Sequence, residues 1–278
     1  MIYIKPSGIF STPLNVILLL VASFLNTAYG SPLNEAPENT FIQTFWSDVL
    51  KDYSTHYSKT ELVKLGGLIG LAGVMANTEI DESLRQNWQR QLRSDFTDRS
   101  AKKVDQYSQF PQIRVVLPIY LSVIWLGYHS SDPILTWFGQ WGYHSIRTLL
   151  LGAPQQALFN AILGAKRPEE GTSKWHFYGE GRSVSGHAFY GAVPLVNAAR
   201  LSEPWALKGL LYGLSIVPTL SRINADKHYA SQVLLGWGLA CLATHSVAKS
   251  QEKYLNQAFS LSAYPYHNGA IIALSWKF

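Results

Sequence analysis

From Thr40 onward, apolar residues recur at steps of three and four. Phe41, Phe45, Trp46, Val49 and Leu50 share one face of a helix. Glu61 to Asn77 is apolar nearly all round, with Gly66, Gly67, Gly70 and Gly73 at spacings that let helices approach closely. Ile80 to Gln109 is polar and charged, with apolar residues too sparse for a deep position, which predicts a surface helix and a connector. Apolar character returns from Ile113 to Tyr128, where Pro118 predicts a kink. Trp137 to Leu163 reads as a long helical stretch interrupted near Gly152 and Pro154. A Gly-rich charged loop, Glu169 to Arg182, leads to three further helices: Gly186 to Arg200, Trp205 to Leu220, and about His228 to Lys249. The pattern predicts an all-α domain over residues 40–250, without internal repeats.

The C-terminal end changes period. Ala258 to Ala263 and Ala270 to Phe278 read as two strands, and Asn268-Gly269 between them is a hairpin signal. Ile272, Leu274, Trp276 and Phe278 alternate along one face. This predicts a short hairpin over 258–278, packed on the helical body. A terminal aromatic after such alternation resembles the last strand of outer-membrane barrels, but one hairpin supplies too few strands to close one.

Composition narrows the class. Of 278 residues, 47% are hydrophobic and 15% charged, enough for a sizeable core. Most apolar runs fall short of the ~20 residues that span a bilayer, and the mean hydropathy is +0.01. Both favour buried helices of a globular domain and leave membrane association open. The net charge of +5 suits anionic substrates or lipid headgroups. No Lys/Arg stripe interleaved with aromatics is present, so no nucleic-acid partner is expected.

The N-terminus reads as a secretory signal peptide over 1–30: Lys5, an apolar run from Leu14 to Phe24, and a cleavage site at Ala28-Tyr29-Gly30. The alternative is an uncleaved anchor. Ser31 to Asn39 reads as a linker. These features predict export to the periplasm or cell envelope. Cys241 is the one cysteine, so an internal disulfide is excluded, and it reads as a small core residue.

Three short segments carry the chemistry: Lys166-Arg167-Pro168, Ser183-Val184-Ser185-Gly186-His187, and Ser221-Arg222 followed by His228. Ser185 and Gly186 stand where a loop turns into a helix, a place whose free N–H groups bind anions. His187 on that first turn is placed to protonate a leaving group. Arg222 offers a fork that matches phosphate oxygens. A neutral His228 can attack phosphorus. Gln232, four residues on, can accept from His228 Nδ1–H and aim Nε2 at substrate. Pro168 is expected to close the preceding helix and free Arg167 for the same anion.

In order and spacing these segments resemble the type 2 phosphatidic acid phosphatase superfamily, which includes bacterial acid phosphatases and vanadium haloperoxidases. Arg167-Pro168, Ser185-Gly186-His187, and Ser221-Arg222 with His228 match most of its three motifs, and the resemblance covers about Phe159 to Gly236. It implies an all-α helical bundle of the acid phosphatase type and a phosphohistidine mechanism without metal or cofactor. His228 is then the nucleophile and His187 the general acid, with Arg167, Arg222, Ser185 and Gly186 on the phosphoryl oxygens. Where the family has Lys, this chain has Asn160, expected to donate to phosphate without charge; where it has Asp, this chain has Gln232; and Val184 replaces Pro. Asp226 is an alternative carboxylate near His228. The substrate implied is a phosphorylated small molecule or lipid. Three other readings are a degenerate member that binds phosphate or a headgroup without turnover, a vanadium haloperoxidase, and an envelope-anchoring protein working through its hairpin.

Overall fold

The computed structural model describes residues 39–109, 113–179, 181–266 and 269–276. The segment read as a leader, nearly all of that read as a linker, and His267, Asn268, Lys277 and Phe278 of the expected hairpin lie outside the described residues. The protein is all-α in class. Its helices are α1 (Asn39–His56), α2 (Lys59–Asn77), α3 (Ile80–Asn87), α4 (Asp95–Gln109), α5 (Ile113–Tyr128), α6 (Pro133–Leu163), α7 (Gly186–Leu201), α8 (Trp205–Ser215), α9 (Val217–Asn224) and α10 (Ala230–Ala258). A π turn, Trp88–Leu92, extends α3. Antiparallel strands β1 (Phe259–Tyr266) and β2 (Gly269–Trp276) follow α10.

Helices α6, α7 and α10 form the centre, with α1 and α2 against α10, α5 against α6, and α8 against α7. The core joins Ile146, Leu149 and Leu150 of α6 to Phe189, Val193 and Val196 of α7 and to Leu235 and Leu239 of α10. The interior also holds charge. Arg147, 1% exposed, donates from Nε and Nη2 to the Asp52 carboxylate at 2.8 and 2.7 Å, tying α6 to α1. Both partners are out of water, so removing either would strand a buried charge.

Helix α6 is continuous, contrary to the expected interruption. Pro154 has no N–H to give to the Leu150 carbonyl four residues back. The Tyr53 hydroxyl donates to that carbonyl instead, at 2.8 Å, so the helix passes through without an unmet acceptor. Gly152 is there for packing: a Cβ would lie 2.6 Å from the Phe189 ring of α7.

Two further expectations are corrected. Pro168 does not close α6; the helix ends at Leu163, capped by Gly164 in the left-handed conformation (φ 59°) beneath the His176 carbonyl. The glycines of α2 mostly do not face another helix. A Cβ at Gly66, Gly67 or Gly70 would meet nothing within 4 Å, and only Gly73 lies close to a neighbour, the Trp175 ring.

Candidate active site

The three segments meet at one end of the central helices. Arg167 follows the C-terminus of α6, Ser185 caps the start of α7, Arg222 lies in the last turn of α9, and His228 precedes α10. Their charges act on one another: His187, Arg167 and Arg222 all bear on His228, and Arg222 and Arg167 bear on His187.

His228 is buried, 5% exposed, and lies just outside α10 rather than on it. Its contact with Gln232 therefore runs across a capping turn, not along a helix face. Gln232 Oε1 accepts from the Tyr229 N–H at 3.2 Å, half of a capping box. Gln232 Nε2 donates to the Lys166 carbonyl at 2.6 Å. One partner can only donate and the other can only accept, so the amide has a single consistent orientation. His228 Nδ1, 2.9 Å from Oε1, must then carry the proton, and Nε2 is left with a free lone pair. Burial first, then Arg167, Arg222 and His187, push the imidazole down to about 3 against the Gln232 hydrogen bond. At neutral pH it is uncharged.

The start of α7 presents main-chain donors to the same place. Ser185, fully buried, accepts from the Ala188 N–H through Oγ and donates its own N–H to the Gln232 carbonyl at 2.9 Å. The N–H groups of Gly186 and His187 belong to the set that a helix start leaves without an internal partner. This approach of α7 to α10 depends on Gly236, where a Cβ would overlap the Ser185 carbonyl oxygen. His187 is half-buried and held below the ordinary imidazole value by burial, Arg222 and Arg167, while Asp105 pulls the other way.

Both arginines carry an unmet donor. The Nε–H groups of Arg167 and Arg222 are buried and have no hydrogen-bond partner among the described residues. Arg222 is 7% exposed, and its Nη1 is paired with the Asp105 carboxylate of α4. Arg167 lies 3.9 Å from Glu169. A buried N–H left unmet costs about 1–3 kcal/mol. Two such groups beside two neutral imidazoles are chemically able to receive an anion.

Asn160 takes a different place from the one expected. Its Oδ1 accepts from the Val184 N–H at 2.7 Å and its Nδ2 donates to the Val184 carbonyl at 3.3 Å. Gln156, one turn earlier, donates to the same carbonyl at 3.4 Å. Asn160 thus braces the loop that carries Ser185. Asp226 is likewise committed elsewhere: Arg85 grips it with two bonds of 2.7 Å.

Sequence reasoning missed the role of the polar segment from Ile80 to Gln109. Asp81, fully buried, caps α10 by accepting from the Ser231 N–H at 2.9 Å. Trp88 and Gln89 donate to Asn224 Oδ1 and the Ile223 carbonyl at 3.2 and 2.8 Å. Together with Arg85 these residues clamp the turn that presents His228. Asp105 supplies the site's carboxylate. An i, i+4 charge pattern could not reveal these partners, because all of them lie more than 100 residues away.

No protein-family model, curated protein or solved structure matches the chain.

Proposed function

We propose that the protein is an exported phosphohydrolase that cleaves phosphomonoesters through a phosphohistidine. Its helices would then form a bundle of the acid phosphatase and haloperoxidase kind, with the C-terminal hairpin as an appendage. One observation carries the reading: two partnerless buried guanidinium N–H groups, Arg167 and Arg222, converge with an imidazole whose free lone pair is fixed by Gln232.

In this mechanism Arg167, Arg222, the Ser185 hydroxyl and the first N–H groups of α7 hold the phosphoryl oxygens. His228 Nε2 attacks phosphorus as the ester P–O bond breaks, and the leaving oxygen takes a proton from His187. His187 takes up that proton from solvent as the substrate binds, because a phosphate dianion offsets the two arginines that hold His187 low. Neutral His187 then removes a proton from water, which attacks phosphorus and frees His228 and inorganic phosphate. No step calls on a metal or redox cofactor. Asn160 and Gln156 are positioning residues, holding the Val184 carbonyl.

The test is phosphate release by the mature chain from a chromogenic monoester, phosphatidic acid and a polyprenyl pyrophosphate. Release from at least one that vanishes in His228→Ala and His187→Ala is expected. Undiminished release in both variants would overturn the mechanism.

A second reading is favoured by the neutral Gln232. It fixes the tautomer of His228 but brings no charge to stabilise a phospho-imidazolium. A site that binds phosphate without turnover would show binding lost in Arg222→Gln and no release from any substrate.

A further inference from the structure

The flank of the molecule formed by α2 and α8 carries an apolar surface with no partner among the described residues and a cationic cluster at one end. Both helices pack on neighbouring positions of α10. A Cβ at Gly238 would strike Leu68 of α2 at 2.6 Å, and Trp237 Nε1 donates to Ser215 Oγ at the end of α8 at 3.0 Å. The outward side chains are large and apolar: Val63 is 75% exposed, Leu71 and Val74 55%, Trp205 86% and Leu210 58%. Between them Gly66, Gly70, Gly209 and Gly213 leave the surface low, with nothing within 4 Å of a would-be Cβ. Large apolar side chains exposed together mark a contact surface. No described helix is long and apolar enough to cross a membrane.

The cluster lies at the end remote from the anion site, about 21 Å along α7 from Gly186 to Arg200 at 1.5 Å per residue. Lys64 and Lys249 both reach Glu61 Oε1, at 3.0 and 2.9 Å. Arg200 Nη2 lies 2.8 Å from His245 Nδ1, and Lys64 Nζ lies 3.2 Å from His245 Nε2. Lysine and arginine cations only donate, and a neutral imidazole accepts through one nitrogen, so one of these two contacts sets a donor against a donor. Burial, Lys64, Arg200 and Lys249 hold His245 below its ordinary value, so it is neutral at pH 7. Three cations and one carboxylate then leave this end of the flank with a net positive charge.

We infer that this flank beds against an anionic bilayer surface, with Val63, Leu71, Val74, Trp205 and Leu210 at the acyl boundary and Lys64, Arg200 and Lys249 on lipid phosphates. Interfacial helices bind through this combination of apolar face and flanking cations. The charge also argues against a second copy on the same face, since two such clusters would repel. The inference does not rest on the phosphatase reading, because binding is measured without turnover.

The experiment is co-sedimentation of the full chain with vesicles of phosphatidylcholine alone and of phosphatidylcholine with about one-third phosphatidylglycerol. Stronger partition to the anionic vesicles is expected. In Lys64→Gln/Arg200→Gln, where Lys249 still pairs with Glu61, that preference should fall roughly thirty-fold. In Val63→Glu/Leu210→Glu, which changes only exposed positions, binding to both vesicle types should fall. Unchanged binding in both variants would move the membrane contact to other parts of the chain and overturn the inference. So would equal binding to both vesicle types, or a dimer in solution that binds neither. Far-UV circular dichroism of each variant confirms that the fold is kept.

Discussion

Adding an anion to the site should stabilise the fold, because the protein's own groups leave two buried donors unmet. Each of the Arg167 and Arg222 Nε–H groups costs about 1–3 kcal/mol while it has no partner. An oxyanion that meets both, and that neutralises charges bearing on His187 and His228, binds the native state and not the unfolded chain. At a concentration a hundred times its Kd, the native state gains about 2.7 kcal/mol. For a domain of this size that corresponds to a rise of roughly 5–10 °C in Tm. The assay is thermal unfolding followed by circular dichroism, with increasing orthophosphate or orthovanadate at ionic strength held constant with chloride. The Arg222→Gln variant separates this site from the Lys64 and Arg200 cluster, which can also attract phosphate. In that variant the rise should nearly vanish. An equal rise with chloride, or a full rise in Arg222→Gln, would refute the reasoning.

Gln232→Glu keeps the shape but replaces the Nε2 donor with an oxygen facing the Lys166 carbonyl, now 2.6 Å away. Urea denaturation should show a loss of about 1–3 kcal/mol, while an NMR titration shows His228 gaining a proton at higher pH than in the parent. Gly236→Ala pushes α10 away from the Ser185 carbonyl, so it should lower stability and phosphate affinity together, and isothermal calorimetry with phosphate reads the second effect. Stability should also fall with acid. His228 and His144 are lowered in the fold, to about 3 and about 4, so each stays neutral while its unfolded counterpart takes up a proton. Their contribution is intact above about pH 6.5 and is lost as pH falls toward those values, by up to about 1.4 kcal/mol per unit for each. Urea midpoints measured from pH 7 to pH 4.5 check the sign.

The helices were legible because their apolar faces repeat with helical period, and α1, α5 and α7 begin within a residue or so of where the pattern places them. Pro154 was misread because its remedy, the Tyr53 hydroxyl, lies on another helix. The same limit applied at the site. The residue types in the three segments and the Gln232 contact could be read from spacing. The bracing by Asp81, Arg85, Gln156 and Asp105 could not, since each pairing is tertiary and each residue alone resembles any surface polar group. Asn160 shows the converse: its position suggested a ligand contact, and its amide is bonded to the Val184 main chain.

Gln232 bonds to every segment of the site. Its side chain holds His228, Tyr229 and the Lys166 carbonyl, and its own carbonyl holds the Ser185 N–H. The stretch after α6, the start of α7 and the turn before α10 are therefore tied through one residue. The amide hydrogens of Ser185 and Tyr229, 44 residues apart in number, should exchange with solvent at the same free energy of opening, and a bound anion should slow both by the same factor. Equal opening energies at these two amides would make assembly of the site a single cooperative step.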